Sequence, residues 1–88
     1  MKLKNKYVIR NVADRAVAIP VENGTEQSDG VITLNSTGAF IFSLVNDGVC
    51  EEEIAARFFE EYDVTKQEAK KAVSDFAESL KQKGLLEI

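Results

Sequence analysis

A short strand that runs directly into a helix is the feature that most restricts how this chain can fold. Three of the four residues in VITL, residues 31–34, are β-branched, which favours a strand. Asn35 follows at once, and an Asn side chain readily accepts a hydrogen bond from the first turn of a helix. The segment GVITLNSTGAFIF therefore predicts a strand and a helix joined without a loop, with Asn35 as the junction.

Two further strands are predicted before this junction. The segment KYVIRNVADRAVAIPV alternates with a period of two on either side of a reversal at Ala13-Asp14, so it predicts a β-hairpin. Val17 and Ile19 share one face of the second strand. Pro20 is expected to end that strand or place it at an edge, because proline cannot donate to a ladder. The polar segment 22–30 is predicted to be a flexible loop.

Three helices are predicted after the junction. The first ends near Asn46, where an Asn-Asp-Gly stop follows, and the second covers CEEEIAARFFEEYDV. The third begins at a capping box, Thr65 to Glu68, and runs for about 18 residues to Gly84. The order predicts an α+β, winged-helix-like domain with an N-terminal three-stranded antiparallel sheet and then three helices. Residues 1–88 form one domain, of which 1–5 are expected to be a disordered tail.

The sequence holds no recognisable catalytic constellation. The chain has no histidine, and its one cysteine, Cys50, lacks a partner for a zinc site or a nearby base. No glycine-rich phosphate loop is present, and the acidic pairs on the second helix point about 100° apart. We therefore expect no catalysis, no metal site and no cofactor. No stretch is long and apolar enough for a signal peptide or membrane span, so a cytoplasmic protein is expected.

The charge distribution bears on the choice of partner. The net charge is −4, but residues 1–20 carry five basic side chains and one acidic side chain. The third helix has five lysines and three acidic residues, which is a poor phosphate-binding face. A nucleic-acid-binding or transcription-regulatory winged helix has a similar set of helices, but this weak basic face makes it only the alternative interpretation. A structural or regulatory module that binds another protein is a third.

The ordered segments GVITLNSTGAFIFSLV, DG, EEEIA, YDV and KGLLEI resemble the PqqD family, the small peptide-binding proteins of pyrroloquinoline quinone biosynthesis. The wider group is the precursor-peptide recognition elements of ribosomally synthesised, post-translationally modified peptides. The similarity extends from Tyr7 to Ile88. Two positions depart from the family pattern: Cys50 replaces the usual Ser or Thr cap of the second helix, and Phe42 replaces Trp. These departures favour a general family member over an authentic quinone-cofactor protein.

The resemblance implies a function and a site. The leader segment of a precursor peptide would add as a strand beside the third strand, in a groove against the third helix. The protein would then present the peptide to a modifying enzyme, often a radical S-adenosylmethionine (SAM) protein. A monomer or weak homodimer is expected, since a short open edge can also pair with itself. The candidate peptide-binding residues are Val31, Ile32, Thr33, Leu34, Lys70, Val73, Phe76 and Ala77.

Overall fold

The computed structural model describes residues 2–87. The chain forms four strands and then three helices. The strands are β1 (Lys6–Val12), β2 (Arg15–Glu22), β3 (Thr25–Glu26) and β4 (Ile32–Leu34). The helices are α1 (Ser36–Asn46), α2 (Glu51–Glu61) and α3 (Lys66–Gln82). The α+β class, with an N-terminal antiparallel sheet before three helices, is confirmed.

The sheet contains a strand that the sequence pattern did not predict. The predicted loop turns back at Asn23 and Gly24, both with positive φ (51° and 77°), and two residues then pair with the end of β2 as β3. An Asn-Gly pair adopts this backbone at little cost, so the turn closes a second hairpin. The strand predicted third is therefore β4.

Strand β2 is central, and Pro20 lies within it rather than at its end. β1 pairs along one side of β2, while β4 and β3 share the other side. β4 reaches only to Ala18, and β3 begins pairing at Val21. Pro20 lies between these two ladders. Its carbonyl accepts from the Gln27 N–H at 2.9 Å, and its missing N–H leaves only the reciprocal bond to Gln27 unmade.

Helices α1 and α3 begin and end at the expected residues, whereas α2, which was predicted to run through Val64, ends at Glu61. The Asn35 side chain accepts a hydrogen bond from the Gly38 N–H at 2.8 Å, which confirms the junction between β4 and α1. The capping box of α3 is present in both directions between Thr65 and Glu68. Cys50 occupies the N-cap of α2 and makes no side-chain cap bond, as its departure from the family pattern predicted.

The core lies between the inner face of the sheet and the three helices. Its most completely buried side chains come from all three helices: Phe42 and Val45 of α1, Ile54 of α2 and Val73 of α3. The ring of Tyr7 in β1 packs edge to face against the ring of Phe42, with 5.1 Å between the ring centroids. Burial raises the pKa of the Tyr7 phenol. Each such side chain contributes roughly 1.5–3 kcal/mol through burial, so sheet and helices are stable only together.

The two ends of the described chain lie side by side. The Lys4 N–H donates to the Leu85 carbonyl at 2.9 Å, and the Glu87 N–H donates to the Lys2 carbonyl at 2.7 Å. Leu3 and Leu86 form the bridge between these bonds, and Leu86 is buried in the core. The start of the chain, predicted to be a disordered tail, is thus hydrogen-bonded to the C-terminal segment in this structure.

Candidate functional site

A contact at the β1 edge of the sheet shows which main-chain groups of β4 point toward β2 and which point away from it. The Tyr7 N–H donates to Asn46 Oδ1 at 3.1 Å, and Asn46 Nδ2 donates to the Tyr7 carbonyl at 2.8 Å. Tyr7 lies opposite Pro20 in the ladder. Because the Tyr7 main-chain groups bond Asn46 instead, Tyr7 and Pro20 form a non-hydrogen-bonded pair. Opposite pairs in an antiparallel ladder alternate between bonded and non-bonded. The main-chain groups of Ala18 and Ala16, like those of Pro20, therefore point toward β4.

One residue of β4 consequently presents its main chain to the open edge. Ile32 and Leu34 bond β2, whereas Thr33 lies opposite Val17 at a non-hydrogen-bonded pair. The Thr33 N–H and C=O point sideways, away from β2 and toward the open edge of the sheet. No hydrogen bond to either group occurs within residues 2–87. An incoming peptide strand requires such a spare donor and acceptor.

A groove of about 400 Å³ runs beside this edge, between β4 and α3. Its floor is apolar, because the largely buried side chains of Ile41, Phe58 and Leu80 reach it from all three helices. Its full lining is Ile32, Thr33, Leu34, Asn35, Thr37, Gly38, Ile41, Phe58, Ala72, Asp75, Phe76, Ser79, Leu80 and Lys83. The free main-chain groups of Thr33 are therefore bordered by a surface that can hold apolar side chains.

Phe76 forms the wall of the groove because α1 has no side chain at Gly38. A Cβ at position 38 would lie 3.3 Å from Phe76 Cε1 and 2.9 Å from Asn35 Oδ1. The glycine thus lets the Phe76 ring approach α1 and meet Phe42 edge to face at 6.4 Å. Phe76 is half-buried, so one side of its ring supports the core while the other faces the groove.

The candidate residues on α3 divide according to their helical phase. Phe76 lines the groove, but Val73 and Ala77 are only 0% and 8% exposed and belong to the stripe that packs into the core. Lys70 lies on the far side of α3, where it borders a smaller groove beside Phe59 of α2. Of this core stripe, Leu80 also reaches the groove, and the other α3 residues that line the groove lie on the neighbouring face of the helix.

The remaining candidates lie in β4 or just before it. Ile32, Thr33 and Leu34 line the groove, while Val31 lines an adjoining channel of about 720 Å³ between the sheet and the C-terminal segment. Ile32, Thr33 and Lys83 border both spaces, so the groove and the channel are continuous. A peptide along β4 would thus have room beyond the strand's N-terminal end.

The groove-facing side of α3 was not identified from the sequence. It consists of Ala72, Asp75, Phe76, Ser79 and Leu80, followed by Lys83 just after the helix, and only Phe76 was a candidate. The available signal was a second stripe at helical spacing, next to the core stripe and built of small or polar residues. Asp75 is ion-paired with Lys71 at 2.7 Å, so its carboxylate is already engaged at the groove's rim.

The described part of the chain holds neither a candidate metal site nor a membrane-spanning helix. Among residues 2–87, no three His, Cys, Asp or Glu side chains come together as a group that could hold a metal ion. None of the helices in this range has the length and apolar character needed to cross a membrane. The free thiol of Cys50 is exposed at the start of α2, away from the groove lining.

Comparison with known proteins supplies independent evidence. The chain matches the family described as coenzyme PQQ synthesis protein D (PqqD) over residues 15–86. A search among curated proteins gave no match.

Two solved structures have the same fold. One is TbiB1 in complex with the TbiA(beta) leader peptide, with a TM-score of 0.74 and 30% sequence identity, covering 99% of this chain and 95% of that one. The other is a lasso peptide synthetase B1 complexed with its leader peptide, with a TM-score of 0.72 and 23% identity. That alignment covers 98% of this chain and 95% of the other. In both structures, the protein of this fold holds a peptide.

Proposed function

Because this chain belongs to the PqqD family, we propose that it binds the leader segment of a ribosomal precursor peptide and presents that peptide to a modifying enzyme. The observation that carries the proposal is the spare N–H and C=O of Thr33 at the mouth of an apolar groove. Main-chain pairing supplies affinity with little dependence on sequence, and the groove supplies selection. The two structures of similar proteins with bound leader peptides support this assignment.

The leader would lie along β4 and against α3. One of its residues would exchange main-chain hydrogen bonds with Thr33, and the next side chains along it would alternate between solvent and the groove. Phe76, Ala72 and Ile41 would contact the groove-facing side chains. The polar rim at Asp75, Ser79 and Lys83 favours a peptide with polar groups beside its apolar anchors.

The protein itself takes a non-catalytic role in this proposal. It holds the precursor by a segment that is not modified, which raises the effective concentration of the remainder at the enzyme. The family resemblance makes a radical SAM protein the first enzyme to test. Neither the groove nor its rim carries a histidine or thiol, since the chain has no histidine and Cys50 lies elsewhere.

Amide hydrogen exchange tests the binding mode at one residue. The probes are synthetic leader peptides of candidate ribosomal precursors, and scrambled peptides are the controls. Exchange at Thr33 should slow on binding, whereas Ile32 and Leu34, already bonded to β2, should change little. If the peptide binds and the Thr33 amide exchanges as before, strand addition at this edge is refuted.

A further inference from the structure

The face of the sheet that points away from the helices carries a second apolar surface. We call it the outer sheet face, and it consists of the outward residues of β1, β2 and β3. Its apolar members are Val8, Val12, Val17, Ile19 and Val21, and its charged members are Lys6, Arg10, Arg15 and Glu26. None of these apolar side chains belongs to the core or packs against it.

The outer sheet face is more apolar than is usual for a sheet face in contact with water. An antiparallel sheet with one face in water usually places polar residues on that face. Here three of the four outward residues of β2 are Val17, Ile19 and Val21, each half-buried by its neighbours in the sheet alone. Val12, at the end of β1, is 58% exposed. A partner on this face would complete their burial.

The charges around the apolar residues indicate what kind of partner fits. Three of the four charged side chains on this face are basic, although the chain as a whole carries −4. Arg10 forms an ion pair with Glu26, and its hydrogen bond to that carboxyl group lowers the carboxyl's pKa. Among residues 2–87, Lys6 and Arg15 make no ion pair. A second copy would bring like charges together, whereas a protein with carboxylates around an apolar centre would complement them.

The outer sheet face is continuous with the strand that would carry the leader. β4 belongs to the same sheet, and the Thr33 side chain points to the same side as Val17 opposite it. A peptide added to β4 would lie about 4.8 Å further along the sheet. A protein seated on the outer sheet face would therefore contact the bound peptide as well.

We propose, building on the function proposed above, that the outer sheet face docks the modifying enzyme through an apolar patch that the enzyme surrounds with acidic side chains. The enzyme would approach from the side opposite the helices. The leader would remain in its groove, and the rest of the precursor would leave the edge of the sheet next to the enzyme. Peptide and enzyme would then bind at the same time on adjoining surfaces.

The test separates enzyme binding from leader binding. The probes are a purified candidate modifying enzyme of the radical SAM class and a fluorescent synthetic leader peptide, each titrated with the full chain. Ile19→Glu should weaken enzyme binding by about tenfold or more and change leader affinity by less than about twofold. Phe59→Glu, which alters an exposed apolar residue on α2, is the matched control and should change neither affinity.

Two further variants keep the test decisive if Ile19→Glu fails to fold. Val17→Thr retains the β-branched shape and should still weaken enzyme binding, while Arg15→Glu should weaken it and reduce its dependence on salt. Unchanged enzyme affinity in these folded variants would overturn this inference but not leader binding. A wild-type protein that binds no leader would instead overturn the proposed function. A dimer in sedimentation that Val17→Thr dissociates would make a second copy the occupant and would also refute enzyme docking.

Discussion

Replacing Thr33 with proline removes one hydrogen-bond donor from the open edge and leaves the sheet's own ladder intact. The Thr33 N–H points away from β2, so no bond within the fold is lost. The preceding residue is already extended, which proline requires of it. Proline is tolerated on edge strands where the N–H faces solvent. We therefore expect the free energy of unfolding to change by no more than about 1 kcal/mol.

The same replacement should severely weaken leader binding. The bound peptide would keep a carbonyl with no donor, and an unsatisfied buried acceptor costs about 1–3 kcal/mol. Since about 1.4 kcal/mol corresponds to a tenfold change, the dissociation constant should rise roughly 5- to 150-fold. The assay is fluorescence anisotropy with a labelled synthetic leader, accompanied by urea unfolding of each variant. Thr33→Ala keeps the N–H and should bind within about twofold of the wild type.

Ile32→Pro provides the contrast that can refute this reasoning. The Ile32 N–H bonds β2, so proline at position 32 removes a ladder bond and should lower the free energy of unfolding by about 1–3 kcal/mol. If Thr33→Pro unfolds the protein while Ile32→Pro does not, the assigned alternation of main-chain groups is reversed. If Thr33→Pro is folded and binds the leader like the wild type, the peptide does not pair with this edge.

Three further outcomes follow from the structure. Ala72→Phe fills the groove and should reduce leader affinity at least about tenfold in the anisotropy assay, whereas Lys70→Ala, on the opposite side of α3, should not. Cys50→Ser supplies the missing cap of α2 and should raise the free energy of unfolding, measured in urea, by about 0.5–1 kcal/mol. No change would mean that the thiol caps the helix as well as a hydroxyl does. Asn46→Ala leaves both main-chain groups of Tyr7 without their partner and should lower stability by about 1–3 kcal/mol, and a neutral result would mean that water replaces the side chain.

The sequence pattern predicted most of the elements because their signals are local. The capping box at Thr65, the Asn35 junction and the glycines at 48 and 84 each act over a few residues, and each lies where it was expected. The pattern missed β3 because a two-residue strand is too short for any periodicity. It misjudged Pro20 because the gap between β3 and β4 exists only after three strands have assembled around β2.

The site was predicted less completely than the fold. The strand and the helix that border the groove were both identified, but Val73 and Ala77 belong to the core stripe, and Ala72, Ser79 and Lys83 were missed. Periodicity shows that a helix has an apolar stripe, and it does not show where the neighbouring elements end. The rotation of α3 that separates core from groove depends on how α1 and α2 pack against it.

By itself, the sequence determined a small α+β domain with no histidine and with a strand joined directly to a helix. These properties depend on residue types and on contacts within one or two helical turns. Only the tertiary structure decided that Thr33, rather than its neighbours, presents its main chain at the open edge. That choice depends on the register of β4 on β2, which long-range pairing sets, and a shift of one residue would reverse it.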